Sequence, residues 1–158
     1  HGAQQQLRKE QLRRKKMSEL SLFLKENKRK RENVKYAATR TLVDESGKPL
    51  EWVIRPITTT ENDKLRDEST TEVQVVGKPG QFRPKIDTTK YMAKLIAKSV
   101  AEPNLYDKTL QDSYGVMTPE DLVREMVDDP GEYSALAQFI QEFNGFTDIN
   151  EKVERAKN

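Results

Sequence analysis

The segment VKYAATRTLVDESGKPLEWVI, residues 34–54, carries the strongest structural signal in the chain. Its first half, residues 34–43, is typical of a β-strand, and DESGKP at residues 44–49 has the composition of a turn. After the turn every second side chain is apolar, in the order Leu50, Trp52 and Ile54. This alternation predicts an antiparallel hairpin with one buried face, and it places Trp52 in the core rather than at an interface.

Downstream of the hairpin the chain predicts a short helix and a second pair of strands. The run Thr58-Thr59-Thr60-Glu61 supplies a threonine N-cap for a short charged helix that contains Leu65. A run of valines at positions 73, 75 and 76 indicates a strand. The GKPG segment at residues 77–80 then predicts a turn, after which residues 82–86 return antiparallel to that strand.

The C-terminal half has the spacing of helices. Asp87 is a candidate N-cap for a helix that Pro103 would end, and Thr118-Pro119 begins another. A third helix is predicted over residues 133–143, with Gly145 as its C-terminal glycine. Because strands come early and helices late, we predict an α+β fold, a small antiparallel hairpin sheet packed with a helical C-terminal half. The expected core side chains are Trp52, Ile54, Tyr91, Leu95, Leu122, Met126, Phe139 and Phe143.

Charge separates the N-terminus from the rest of the chain. Residues 1–40 carry a net charge of +9 and the remaining residues −7, which predicts a basic arm on an acidic body. Residues 1–16 are polar and basic, and Met17 resembles a natural translation start. We therefore expect residues 1–16 to be a basic leader, disordered or foreign to the natural chain, and residues 17–158 to form the domain.

The candidate partner-binding residues lie just after this leader. Leu20, Phe23 and Leu24 are spaced as on one face of a short helix, predicted over residues 18–26. So short a helix needs a surface to dock on, either its own core or the groove of a partner. The exposed cations Lys28, Arg29, Lys30 and Arg31 follow, and they could steer the helix toward an acidic target.

The sequence lacks the residues that several kinds of catalytic and metal-binding site require. The chain has no cysteine, and its one histidine is His1, so histidine or thiolate metal sites and nucleophilic triads are not expected. There is no phosphate-binding glycine loop, and no apolar run approaches the ~18 residues that span a bilayer. We predict a non-enzymatic protein with no catalytic residue, no cofactor, no metal and no small-molecule substrate.

Five segments in the same order resemble the XkdN-like family of phage tail assembly chaperones, from contractile-tailed phages and tail-like prophage particles. They are MSELSLFLKENK, ENVKYAATRTLVDESGKPLEWVIRPIT, VVGKPGQFRPKIDTTKYMAKLIAKSV, LQDSYGVMTPEDLVREMVDDPGEY and FIQEFNGF. The resemblance covers the chain from about Met17 to its end and leaves out the leader. It carries no established catalytic or ligand residues, so none is transferred.

The resemblance implies a protein of the host cytoplasm that binds the tape-measure protein and promotes tail tube assembly without remaining in the virion. The tail tube protein is a further partner that it implies. Two alternatives stay open, a structural component of the tail or baseplate and a nucleic-acid-binding protein that uses the basic arm. Nucleic acid is the weaker of the two, because no aromatic residues interleave with the basic run.

Overall fold

The computed structural model describes residues 1–146 of the 158, and it divides the chain into two units, His1–Arg31 and Glu32–Asn158. The first contains helix α1, Gly2–Ser21, and one turn of 3-10 helix, Lys25–Asn27. The second contains the helices α2 Thr59–Glu68, α3 Thr88–Ser99, α4 Lys108–Tyr114, α5 Pro119–Met126 and α6 Pro130–Phe143. Its strands are β1 Val34–Tyr36, β2 Trp52–Ile54, β3 Thr70–Gln74, β4 Phe82–Ile86 and β5 Val100–Glu102.

The strands of the second unit form two separate antiparallel sheets. One sheet has the order β1-β2-β5, and in it Val34 faces Ile54 and Tyr36 faces Trp52. The other is a two-stranded ribbon of β3 and β4. With its strands early in the chain and most of the helices of this unit late, the unit is α+β, as predicted from the sequence.

The core lies between the three-stranded sheet and helices α3, α5 and α6. Five of the eight predicted core side chains are buried: Trp52, Ile54, Leu95, Leu122 and Met126. The other three, Tyr91, Phe139 and Phe143, are half-buried and pack against this cluster. The Phe139 ring also stacks on that of Tyr36, with centroids 4.2 Å apart, which joins α6 to β1.

Side-chain caps set the starts of the helices. Thr58 and Glu61 form a reciprocal capping box at the start of α2, which satisfies two backbone N–H groups. Asp87 and Thr118 cap α3 and α5, as predicted. Asp129 caps α6, so this helix begins at Pro130, three residues before the predicted start. After α6, Gly145 has a φ of +77°, a left-handed conformation that favours glycine.

The first hairpin has shorter strands than the sequence predicts. β1 ends at Tyr36 rather than at residue 43, and residues 37–51 form a loop. Within the loop the Asp44 carboxylate accepts backbone hydrogen bonds from Ser46 and Lys48, which closes the predicted turn. Leu50 is exposed, contrary to its expected place on the buried face, because the last strand pair is Tyr36 with Trp52.

Two elements of the second unit were absent from the sequence-based prediction. The helix expected to continue to Pro103 ends at Ser99, and residues 100–102 form β5 on the free side of β2. Helix α4 follows, with Asp107 as its N-cap and Gly115 at its C-terminus, where φ is +68°. Neither element has a strong local signal, since β5 is three residues long and α4 buries no side chain fully.

Candidate functional site

Helix α1 ends in a tight turn that carries the apolar candidate residues. The backbone N–H groups of Phe23 and Leu24 donate to the carbonyls of Leu20 and Ser21, at 3.0 and 3.1 Å. The side-chain amide of Asn27 also donates to the Ser21 carbonyl, at 2.6 Å. These bonds occupy carbonyls that the end of a helix would otherwise leave unpaired, so the turn is held by local contacts.

The predicted helix over residues 18–26 is therefore wrong in both of its limits. The regular helix begins at Gly2, because residues 2–16 consist mostly of strong helix formers, and it ends at Ser21. Residues 25–27 form a single 3-10 turn instead of continuing the α-helix. Helix α1 passes through position 16 without interruption, and the domain boundary expected there stays a prediction.

The three apolar candidates are exposed, at 67% for Leu20, 87% for Phe23 and 47% for Leu24. Leu22, which the sequence analysis did not select, is exposed as well. The four residues form an uncovered apolar turn, the kind of surface that marks an interaction site when it is rimmed by polar residues.

The basic candidates follow directly in extended backbone. Residues 28–33 form no helix or strand, and Lys28, Arg29, Lys30 and Arg31 are all exposed. The first unit holds eleven Lys and Arg against three Asp and Glu, a net charge of +8, while the second unit has a net charge of −6. We call residues 20–31 the N-terminal candidate segment, because its apolar turn and cationic run are contiguous.

The second unit contains an ion-pair cluster that is structural. Glu61 accepts from Arg55 at 2.6 Å and lies 3.7 Å from the Lys98 ammonium, joining β2, α2 and α3. Burial by itself would raise the pKa of Glu61, but bonds from Thr58 and the charge of Arg55 hold that pKa below its usual value. A carboxylate whose oxygens are engaged in this way serves as a clamp rather than as a proton donor.

Two hydrogen-bonded contacts attach the loops of the second unit to α6. The Glu132 carboxylate accepts from the Thr39 hydroxyl at 2.9 Å and from the Arg40 backbone N–H at 2.8 Å. At the other end of the helix, the Asn144 side chain accepts from the Ile57 backbone N–H at 2.9 Å. Thr39 is buried, and its hydroxyl is satisfied by Glu132 together with the Thr41 hydroxyl, which lies 2.8 Å away.

A shallow apolar groove of about 340 Å³ lies where α2, β4, α3 and α6 meet, lined in part by Ile86, Tyr91, Leu95 and Phe146. The Tyr91 hydroxyl donates a hydrogen bond to Asn62 at its rim. Burial raises the pKa of the Tyr91 phenol, and the charge of Arg66 opposes this.

Within residues 1–146 there is no cluster of three or more metal-ligating side chains, and no helix is long and apolar enough to span a membrane.

The ribbon tip carries exposed apolar side chains that the sequence analysis did not select. Val76 is 98% exposed, and Phe82 is exposed across the turn from it. The valine run was interpreted as strand, but β3 ends at Gln74 and Val76 falls in the turn. The GKPG segment could have predicted this exposure, since it fixes where the chain reverses and Val76 directly precedes it.

Comparison with known proteins places the chain among phage proteins. It is 28% identical over 141 residues to "Phage-like element PBSX protein XkdN" of Bacillus subtilis strain 168, covering 89% of this chain and 94% of the relative. It has the same identity and length of match to "Uncharacterized protein YqbN" of that organism, covering 93% of the relative.

A solved structure shares the fold. The crystal structure of the protein YqbN superposes with a TM-score of 0.68 at 23% identity, covering 80% of this chain and 96% of the other. The family described as "Phage XkdN-like tail assembly chaperone protein" matches residues 20–157, a range that includes the whole N-terminal candidate segment. The resemblance found in the sequence is thus confirmed, and the chain belongs to the XkdN-like family of phage tail assembly chaperones.

Proposed function

We propose that this tail assembly chaperone binds the tape-measure protein of its phage and promotes assembly of the tail tube around it. The observation that supports this most is the exposed apolar turn at Leu20, Phe23 and Leu24, inside the range that matches the family. A chaperone must cover apolar surface of its client reversibly, and an uncovered apolar turn on the chaperone provides such a contact.

The contact that we propose is the insertion of Phe23 into an apolar groove of the tape-measure protein. Aromatic side chains dominate many interfaces because they bury much area at little cost in conformational entropy. Phe23 is the most exposed residue of the turn, at 87%. Leu20 and Leu24 would border it, and their smaller contribution is consistent with release when tube subunits polymerise.

In the proposed contact, the basic run attracts the target electrostatically. Lys28 to Arg31 lie within a unit of net charge +8, so they would attract an acidic helical target and raise the association rate. Because they are exposed, salt should weaken their effect.

The rest of the proposal follows from a chaperone role. The protein would act in the cytoplasm of the bacterial host, would be absent from the finished virion, and would have no enzymatic activity. The tail tube protein is a second proposed partner, since it replaces the chaperone on the tape-measure protein. Neither a membrane nor nucleic acid is part of this role.

Co-expression with the tape-measure protein, followed by pull-down, tests the proposal. We expect Phe23→Ala to reduce capture of the tape-measure protein at least tenfold, which corresponds to about 1.4 kcal/mol of binding free energy. The matched control is Val76→Ala, since Val76 is also an exposed apolar residue but lies outside the N-terminal candidate segment. Equal capture by the two variants and the unmodified chain would remove Phe23 from the interface.

A second variant replaces all four cations of the basic run with glutamine. We expect slower association with the tape-measure protein at low salt, and little difference from the unmodified chain at high salt, because exposed charges are then screened. If the unmodified chain instead co-purifies with finished tails, a structural tail component is the better assignment. If it shifts DNA in a salt-sensitive manner that requires residues 1–31, nucleic-acid binding is the better assignment.

A further inference from the structure

The β3–β4 ribbon has one closed edge and one open edge. Along the ribbon, residue pairs that hydrogen-bond each other alternate with pairs that do not. Two backbone hydrogen bonds identify the bonded pairs, from Val75 N–H to the Gln81 carbonyl and from Asp87 N–H to the Ser69 carbonyl, both 2.8 Å. In an antiparallel pair the residues between such bonded positions point their backbone groups away from the partner strand. The backbone N–H and C=O groups of the even-numbered residues of both strands therefore point away from the ribbon.

On β4 the central outward position is Pro84, which has no N–H to donate. A proline at this place is a usual protection of an edge strand against further pairing. On β3 the directly opposite residue is Glu72, which has a free backbone N–H and carbonyl on the outer side. Among the described residues, none hydrogen-bonds the backbone groups of Glu72 or Gln74 at that edge, and both residues are exposed.

We propose that the open edge of β3 pairs with β3 of a second copy of this chain, antiparallel and across a two-fold axis. The result is a four-stranded sheet in the order β4-β3-β3-β4, whose two outer edges both carry Pro84. Growth stops at two copies, because the closed edges accept no further strand. Such isologous pairing uses the same surface on both partners.

The side chains of β3 select one register for this pairing. Centring the axis on Glu72 would place the two Glu72 carboxylates opposite each other, which is unfavourable. Centring it on Thr71 would require Ser69 as a partner, and Ser69 is fully buried. Centring it on Gln74 would leave only one strand position on each side of the axis within the hydrogen-bonded ladder, which ends at Val75.

Centring the axis on Val73 avoids each of these problems. Val73 then meets Val73 of the second copy, Thr71 meets Val75, and Glu72 meets Gln74. The apolar and β-branched pairs share one face of the sheet, and such cross-strand pairs stabilise antiparallel strands. The contact consists of a few backbone hydrogen bonds and these pairs, so the dimer should be weak and depend on concentration.

Cysteine cross-linking tests the register, because the chain has no cysteine and any disulfide must join two copies. Across the proposed axis the two Val73 residues form a pair without mutual hydrogen bonds, with Cα atoms about 4.5 Å apart, a spacing that a disulfide spans. Val73→Cys should thus form a disulfide dimer rapidly under mild oxidation. Arg83→Cys, at the position opposite Val73 on the closed strand, is the control and should cross-link at least tenfold more slowly.

The edge itself is tested by Glu72→Pro, with Glu72→Gln as its control. Proline removes only the outward N–H at this position, as Pro84 does on the opposite strand, so the ribbon should fold normally. Sedimentation equilibrium should show dimerisation weakened about tenfold for Glu72→Pro, from the loss of hydrogen bonds, and unchanged for Glu72→Gln. Circular dichroism checks that both variants are folded.

Three results would overturn the proposal. The first is an unmodified chain that stays monomeric at its highest soluble concentration, whether or not the edge then captures a strand of another protein. The second is a dimer that Glu72→Pro leaves intact. The third is equal cross-linking of Val73→Cys and Arg83→Cys, which remains decisive even if Glu72→Pro fails to fold.

Discussion

The two units of this chaperone distribute their apolar side chains in opposite ways. In the second unit, as far as residue 146, most of the large apolar side chains gather in one buried cluster around Ile54, Leu95 and Leu136, while a few such as Val76 and Phe82 stay exposed. In the first unit the leucines of α1 at positions 7, 12 and 20, and Phe23 in the turn that follows, are all exposed. The first unit is held by helix propensity and local hydrogen bonds, and the second by burial.

In a protein with so many charged residues, this contrast separates the residues that stabilise the fold from those that can bind a partner. With 34% apolar and 34% charged residues, the chain has few apolar side chains to distribute. Those in the buried cluster of the second unit are committed to the fold, whereas those in the residue 20–24 turn contribute little to it and are available for a partner. Substitutions in the two units should therefore separate folding from binding.

The largest effect on folding is expected from Trp52→Ala. Trp52 is 2% exposed and lies in the central strand β2, so its removal leaves a cavity in the core. We expect a loss of about 3–5 kcal/mol in the free energy of unfolding, measured by urea denaturation. A melting temperature equal to that of the unmodified chain would contradict the division of roles between the two units.

A smaller effect is expected from Glu132→Ala, which removes the acceptor for Thr39 and for the Arg40 backbone N–H. The variant loses two hydrogen bonds to a charged acceptor, and the Thr39 hydroxyl can recover only its own by donating to the Thr41 hydroxyl 2.8 Å away, so we expect a loss of about 1–3 kcal/mol in the free energy of unfolding. Glu125→Ala is the matched control, since Glu125 is an exposed glutamate of α5. Equal stability of the two variants would show that the loop after β1 does not depend on α6.

The pH dependence of Glu61 tests the clamp between β2, α2 and α3. The folded-state pKa of Glu61 is lowered below its ordinary value of 4.5, so its ionised form stabilises the folded state above that pH. The stabilisation is lost as pH falls through the lowered pKa. Glu61→Gln keeps a side chain suited to the capping box but removes the charge, and it should cost about 1 kcal/mol at pH 7.

The difference between this variant and the unmodified chain should shrink progressively below pH 4.5. Urea denaturation at a series of pH values measures it. A difference that stays constant down to the acid limit would mean that the charge of Glu61 is not the stabilising feature.

The smallest effect on folding is expected from Phe23→Ala. Phe23 is 87% exposed, so its truncation should change the free energy of unfolding by less than about 0.5 kcal/mol. The same variant should lose capture of the tape-measure protein. Destabilisation comparable to that of Trp52→Ala would place Phe23 in a core and contradict the proposed separation of folding and binding between the two units.

The parts of the candidate site differ in how well the sequence predicted them. Leu20, Phe23 and Leu24 were selected because their spacing fits one helix face, although they lie at the helix end and in the turn that follows. Their exposure could not be derived from the spacing, since the same pattern fits a helix docked on its own core. The open edge of β3 was not predicted either, because it depends on which residues of the ribbon pair with each other.

The local features of this protein can be predicted from its amino-acid sequence. The Thr58, Asp87 and Thr118 caps, the chain reversals at residues 44–49 and 77–80, the α+β class and the resemblance to its family are all set by residues close in the chain or by their order. Caps and turns depend on hydrogen bonds across two to four residues, so a local pattern suffices to predict them.

The features that join residues distant in sequence depend on tertiary packing and could not be predicted from local patterns. β5 exists because β2 offers it a pairing edge some fifty residues away in sequence, and three residues alone have no stable strand conformation. The Glu132 contact with Thr39 and the half-buried places of Tyr91 and Phe139 likewise depend on how the helices pack. Long-range burial and pairing select among conformations that local propensities leave nearly equal in free energy.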